Sequence, residues 1–357
     1  MNLTEVSERV RADDAGKWDV LLAKDEMRMQ EGRLRFPRLY RADHPKGLEL
    51  TRWATSQLCQ RLSVPTAYFR RCPSYLQDVQ VNHWLCQDDP SAKRDAPPEK
   101  WLLRTKKDTL RGVLTERYAK LNNADVMTAV ASVLEQRFEV GWFAVTDEAF
   151  HLRVTDPSLS REVLPGDRVM AGLHIANSEV GKRSVTVDAL VYRLVCANGL
   201  IRLVKGKSLF HRRHVALSTS EFELTLRSSV QAALMEGAGF MERMRQATTE
   251  PLGDVEQALA GLSGQWNLSE KLADAVRAAL LRERWGQQET LYGLVNAFTE
   301  TAQQLAPDDR YTLETIAGGL LERGLPRGEV VPRAKASLFS ESVLTLPFEE
   351  PLPARAA

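Results

Sequence analysis

Apolar and polar positions change period along this chain, and the changes mark out its elements. Residues 18–40 carry short apolar runs broken by Gly32 and Pro37, which reads as a strand or two with loops. From Leu50 the period becomes helical: Trp53, Ala54, Leu58 and Leu62 share one face, Thr51 can cap it, and Pro65 ends it before Tyr68 and Phe69 continue into the next helix. Residues 87–99 are rich in Pro, Asp and Ala and read as an exposed loop. One helix is expected over 122–136, on Val126, Val130, Val133 and Leu134.

The centre alternates with the period of a strand. Residues 138–145 and 150–154 form one expected hairpin across Thr146-Asp147-Glu148-Ala149. Residues 168–176 and 183–196 form another, across the turn 177–181. Asn198-Gly199 then predicts a tight turn into a strand at 200–204, because both residues tolerate positive φ. After Ser218 the pattern is helical to about Glu322. A long first helix capped at Thr219 or Ser220 aligns Leu224, Leu226, Val230 and Leu234. Further helices are expected at 254–262, 269–284, 289–305 and 312–321, with Pro307-Asp308-Asp309 as a break. The fold class is therefore α+β: a central antiparallel, hairpin-rich sheet, an N-terminal helical segment and a C-terminal helical region. The organisation expected is a mixed segment at 1–99, a basic sheet core at 100–218, an acidic helical region packed on it at 219–323, and an irregular tail at 324–357.

Composition narrows the classes. At 357 residues and 43% hydrophobic, the chain can bury a core without metal or disulfide help. No apolar run approaches the roughly 20 residues of a membrane span, and residues 1–11 carry acids unlike a secretory signal. Cys59, Cys72, Cys86 and Cys196 form no CxxC pair, so a reducing cytoplasm is the expected setting and buried thiols the expected role. Phosphate-cradling, dinucleotide, zinc-protease and serine-hydrolase motifs are absent from the sequence, and no cofactor is expected from it.

Net charge is only +1, but its distribution is uneven. Lys100, Arg104, Lys106, Lys107, Arg111, Arg117 and Lys120 face only Asp108 and Glu116 within their segment. Lys182, Arg183, Arg193, Arg202, Lys205, Lys207, Arg212 and Arg213 face Asp188 alone. Such an asymmetry suits a polyanion binder whose cations track a phosphate backbone; equally, it suits solvated strand faces that keep sheet edges from pairing. Tyr118 is the expected stacking ring. His211-Arg212-Arg213-His214 reads as a phosphate-contacting or solvated turn, with a metal-binding alternative that lacks a full ligand set.

Several runs together carry a resemblance. They are residues 111–118 (RGVLTERY) followed by Asn122, residues 172–181 (GLHIANSEVG), residues 192–200 (YRLVCANGL) and residues 291–299 (LYGLVNAFT), where Phe298 replaces a more usual aliphatic residue. In this order they resemble the prokaryotic phage/plasmid-like family classed as domain of unknown function nine-three-two, over about residues 51–321. The resemblance implies a mobile-element setting and no established activity. By analogy of architecture, phage annealing proteins also lay DNA along a hairpin-rich sheet, as oligomers.

Two functional expectations follow. The first is a binder of single-stranded DNA in recombination or replication, working as a homo-oligomer, with Arg104, Lys106, Lys107, Arg111, Arg117, Tyr118, Lys182, Arg183, Arg193, Lys205, Arg212 and Arg213 on the nucleic acid. The second is an enzyme acting on a nucleotide or nucleic acid, with Arg117, Ser178, Glu179, Arg193, Asn198 and His214 converging on a cleft. The acidic helical region could instead hold a protein partner.

Overall fold

The structure is a computed structural model that describes residues 1–36, 47–86, 99–134, 138–194, 198–202, 208–212, 219–283 and 285–325. It opens on a helix that the sequence reading did not announce: α1 (Leu3–Asp14), capped by Asn2 and Glu5 in a reciprocal box, burying Val6 and Val10. Then come β1 (Lys17–Ala23), a single 3₁₀ turn, β2 (Arg28–Gln30), β3 (Arg33–Arg35) and β4 (Glu49–Leu50). Thr51 caps α2 (Arg52–Arg61) as its position predicts, and α3 (Thr66–Arg71) and α4 (Ser74–Cys86) follow. The hairpin β5 (Lys100–Lys106) and β6 (Thr109–Thr115) pairs with β1 and β4, in the order β1-β5-β6-β4. Residues 100–115 thus belong to a sheet of their own with residues 17–50, over a core of Leu34, Leu58, Phe69, Leu85, Trp101 and Leu103.

After α5 (Asn123–Val133) comes the main antiparallel sheet: β7 (Glu139–Val145), β8 (Phe150–Leu164), β9 (Asp167–Asn177), β10 (Val185–Arg193) and β11 (Asn198–Arg202) in sequential order. The short β12 (Phe210–Arg212) pairs beside β10. Both expected hairpins are present. Asn198-Gly199, however, is not a turn: Gly199 pairs with Tyr192 inside the sheet. Its missing side chain serves packing instead, since a Cβ there would lie 2.7 Å from the Arg153 guanidinium.

Alternation divides the two faces of this sheet. Phe150, Leu152 and Val154, then Leu173 and Ile175, then Val185, Val187 and Ala189 form an apolar face against α1, α5 and the N-terminal half of α6 (Thr219–Ala247). The helix approaches so closely that a Cβ on Gly237 would stand 2.8 Å from the Ala171 Cβ. Phe222 and Leu226 fill this interface, whereas Leu224, expected beside them, is 70% exposed, because a 3.6-residue repeat puts it on the outer side. Beyond α6, α7 (Val255–Trp266), α8 (Glu270–Leu281), α9 (Leu291–Ala302) and α10 (Pro307–Arg323) build a second core on Leu262, Val276, Leu294, Phe298 and Leu313. Pro307 ends one helix pattern by beginning the next, at the first-turn position where its missing N–H costs nothing. No helix among the described residues is long and apolar enough to cross a membrane.

Candidate functional site

The other face of the main sheet is polar, buried and charged. His151 and Arg153 on β8, His174 on β9, and Thr186 and Asp188 on β10 project from it, with Arg153, His174 and Asp188 side by side in register across three strands. An irregularity in β7 at Gly141 brings Trp142 opposite Arg153. Helix α10 covers this face. Glu314 accepts both Arg153 Nη groups and the Arg310 Nε (3.0 Å); the Tyr311 hydroxyl donates to Asp188 (3.0 Å). The Trp142 ring lies 4.7 Å from the Arg153 guanidinium and 4.6 Å from that of Arg310.

A directed hydrogen-bond chain crosses the layer. Arg153 Nε donates to His174 Nδ1 (3.4 Å), His174 Nε2 stands 3.0 Å from His151 Nδ1, and His151 Nε2 stands 3.1 Å from Asp308 Oδ1. With each imidazole carrying its proton on Nε2, each of these three contacts has one donor and one acceptor, so both rings fit the chain neutral. Burial pushes His151 down to about 4 against the opposing hydrogen bond to Asp308, and Arg183 and Arg153 add to the drop. Burial and then Arg153, His151, Arg183 and Arg310 hold His174 well below the usual imidazole range. Asp188 moves the other way: burial lifts it to about 6, although Ser208, Tyr311 and Arg183 oppose the rise. For Asp308 burial also acts upward, but His151, Arg183 and Lys182 outweigh it and keep the carboxylate ionised.

These shifts set a pH dependence with opposing parts. His151 takes up its proton in the unfolded chain at 6.5 but in the fold only near 4, so stability falls as pH drops through that window. Asp188 is protonated in the fold below about 6 but in the unfolded chain only near 3.8, so stability rises as pH drops through its window. Each effect amounts to about 3 kcal/mol, and His174 tips the balance towards loss at acid pH. Asp188→Asn removes the ionised buried carboxylate. We expect it to exceed the native chain in urea denaturation by up to about 3 kcal/mol near pH 8 and by about 1 kcal/mol near pH 4.5, and to match it only below about pH 3.5. A gap that does not change with pH would show that Asp188 does not titrate in this range.

Asp308 leads from this layer to the surface. It lines a cleft of about 500 Å³ together with Arg52, Trp53 and Ser56 of α2, Arg70 of α3, Thr146, Asp147 and Glu148 of the β7–β8 turn, Lys182, and the start of α10. Three of its four carboxylates have a cation beside them: Glu148 has Lys182, Asp147 has Arg111 (3.7 Å), and Asp308 has Arg183 (2.9 Å) and Lys182 (3.5 Å). Arg52 and Arg70 stand exposed at the rim, where Arg70 Nη2 donates to the Arg52 carbonyl (3.1 Å) and to Ser56 Oγ (2.9 Å). Lys182 lies 5.6 Å from the centre of the Trp53 ring, whose indole N–H donates to the Val180 carbonyl (2.9 Å).

The expected site residues divide by burial. Arg104 is buried, donating to Asp19 (3.1 Å), the Glu179 carbonyl (2.9 Å) and Asn122. Arg111 is buried on Glu179 (2.9 Å). Arg193 forks onto Asp167 (2.7 and 2.6 Å), reaches Glu283 (3.3 Å), and has the Trp285 ring 4.5 Å away. These three guanidiniums have no face to offer a phosphate backbone. Lys106 is tied to Asp13 (2.5 Å), and Arg183 lies over the Tyr311 ring at 4.3 Å. Lys107, Arg117 and Arg212 are exposed, on three separate stretches. Tyr118, the expected stacking ring, is half-buried with its hydroxyl on the Ser178 carbonyl (2.8 Å). Lys205, Arg213 and His214 lie outside the described residues, as does Cys196. Of the other thiols Cys59 is buried and Cys72 half-buried, but Cys86 is exposed, against expectation, at the last turn of α4 where that face of the helix meets solvent.

The six-residue catalytic set does not converge. Ser178 and Glu179 are buried at one end of the main sheet, where Ser178 Oγ donates to the Glu148 carbonyl (2.6 Å) and accepts from Lys182 N (3.0 Å). Arg193 and Asn198 lie at the far end of β10, eight residues or about 26 Å away. Glu179 is a structural node: it accepts from Arg111, Lys17 (3.0 Å) and Asn123 N (2.9 Å). Burial acts upward on its carboxyl, yet Lys17 and Arg111 hold it below the usual range.

Sequence reading passed over His151, Arg153, His174, Asp188, Tyr311 and Glu314. The available signal was a polar or charged residue at every second position of otherwise apolar strands. The family model described as Domain of unknown function (DUF932) matches residues 111–326. The chain belongs to the DUF932 family. The match takes in the main sheet, α10 and every residue of the buried polar layer, and begins well after residue 51, so the DUF932 region starts inside β6. No curated protein and no solved structure matches the chain.

Proposed function

We propose that this protein binds single-stranded nucleic acid, with the cleft between α2, α3 and the N-terminus of α10 as the point where the strand enters. The observation that carries the reading is the composition of the cleft: exposed Arg52 and Arg70 and the Trp53 ring beside a space in which Lys182 and Arg183 pair with Glu148 and Asp308. Phosphate contact by cations beside an aromatic ring suits a single strand, and a space of about 500 Å³ holds a nucleotide or two but not a duplex. The start of α10 adds backbone N–H groups with partial positive charge. The phage- and plasmid-like character implied by the family resemblance suggests work in recombination or replication of a mobile element, with self-assembly along the strand.

The test is fluorescence anisotropy of a labelled oligonucleotide across a salt series. Single-strand affinity should exceed duplex affinity and fall steeply with salt. The double variant Arg52→Ala, Arg70→Ala should lose about tenfold or more, and its salt slope should flatten by about 0.7 for each phosphate contact removed. An unchanged slope sinks the assignment.

A second reading, an enzyme acting on a nucleotide, is favoured by one contact: His151 on Asp308, which joins the buried proton-bearing chain to the cleft wall. It would show as turnover of the bound oligonucleotide or of a mononucleotide, lost in Asp308→Asn.

A further inference from the structure

Three large aromatic side chains of α3 and α4 stand exposed to water, Tyr68, Tyr75 and Trp84, and two of them mark a route leading from the cleft. Tyr68 on α3 is 54% exposed and Trp84 on α4 is 43% exposed. Helical geometry, at 100° per residue, orders the outer surface of α3 as Arg70, Ala67, Arg71, Tyr68, all exposed, while Phe69 points into the core. Arg70 lines the cleft, so this surface leads from the cleft rim across Arg71 to Tyr68. The chain then turns at Pro73 into α4. There the Gln80 amide reaches the Cys72 thiol (3.6 Å), whose hydrogen goes to the Tyr68 carbonyl (3.4 Å). Trp84 sits one turn beyond Gln80 on the same flank of α4, with the His83 ring edge-on at 5.1 Å. Charge along the route is positive: α3 and α4 carry Arg70 and Arg71 against Asp78 alone, and Asp78 accepts from the backbone N–H groups of Glu31 (2.7 Å) and Gly32 (3.0 Å).

We infer that this surface is a stacking track for single-stranded nucleic acid, in which Tyr68 and Trp84 each take a base and Arg70 and Arg71 take the phosphates between them. The inference rests on the cleft reading and extends it, turning an entry point into a path of a few nucleotides. Exposed rings interleaved with cations are the arrangement that binds bases whatever their sequence, because every base presents a flat face. Duplex DNA, with its bases stacked on one another, cannot use the rings.

The experiment uses the full chain, a fluorescein-labelled oligo-dT and the matching dA·dT duplex at low salt. Tyr68→Ala and Trp84→Ala should each weaken single-strand binding by at least about fivefold, while Tyr68→Phe and Trp84→Phe stay within about twofold of the native chain. Duplex binding should be unmoved by all four. Saturating oligo-dT should quench part of the native tryptophan emission, and that part should be missing in Trp84→Phe. If the alanine variants bind as the native chain does while Arg52→Ala, Arg70→Ala fails, the track is wrong and the cleft stands. Absence of oligonucleotide binding by the native chain overturns both. Loss of self-association in the alanine variants with DNA binding unchanged would assign the surface to a second copy of the chain and overturn the track.

Discussion

Glu179→Gln should lower the free energy of unfolding by about 3–5 kcal/mol, one of the two largest effects expected of any single substitution here. The carboxylate is buried at the meeting point of three parts of the chain: Lys17 at the start of β1, Arg111 on β6 and the first N–H of α5 at Asn123 all donate to it. The Arg104 guanidinium lies on the carbonyl of the same residue at 2.9 Å. An amide keeps the size and removes the charge. Lys17, Arg104 and Arg111 would then face one another with little water to screen them, which is why breaking a buried pair costs more than the pair itself contributes. Urea denaturation at neutral pH measures the loss. Asp147→Asn is the control: that carboxylate is exposed and 3.7 Å from the same Arg111, and its removal should stay within about 0.5 kcal/mol. A loss below about 1 kcal/mol for Glu179→Gln would mean that the cations relax into solvent and that the node does not hold the two sheets together.

Glu314→Gln should cost a similar amount, about 3–5 kcal/mol, with a different local signature. Glu314 is the carboxylate shared by Arg153 and Arg310, whose guanidiniums both lie against Trp142. Without it two buried cations remain in one layer beside His174, which burial already keeps neutral. The contact that fails joins α10 to the sheet, so hydrogen exchange should accelerate first in the amides of α10 and leave those of α5 near their native rate. Adding Arg153→Met to Glu314→Gln should recover part of the loss, since an apolar side chain of similar length removes one stranded charge. If α5 and α10 open together, the polar layer belongs to the global unfolding unit and is no separate fastening of α10. The same fastening positions the cleft, because Asp308 and the N-terminus of α10 form one of its walls.

Much of the fold was legible before any coordinates. The period-2 runs 138–145, 150–154, 168–176 and 183–196 became β7 to β10, β8 running on to Leu164, because alternation is what a strand between two layers requires. Thr51, Asp254 and Ser269 cap the helices their positions announce. The misses have local causes. α1 carries too few apolar residues for its period to show, only Val6 and Val10 being buried. Asn198-Gly199 has the composition of a hairpin turn, but the space beside Gly199 is occupied by Arg153, a residue from two strands away.

The candidate site was far less legible, and the reason is sequence distance. A run of cations such as Arg104, Lys106, Lys107 and Arg111 looks unopposed when only its neighbours are counted. Its partners arrive from elsewhere: Asp19 is 85 residues from Arg104, Asp13 is 93 from Lys106, and Glu179 is 68 from Arg111. Strand alternation determined that every second side chain would face the same way. It could not determine whether the layer above that face would be water, a strand of nucleic acid or a helix bringing its own carboxylates. The sequence alone therefore established the α+β order of elements, the hairpins, the caps and the family. Only the tertiary structure decided which charges are interior fastenings and which, at Arg52, Arg70 and Arg71, remain on the surface, because burial and charge pairing depend on segments that meet only when the chain has folded.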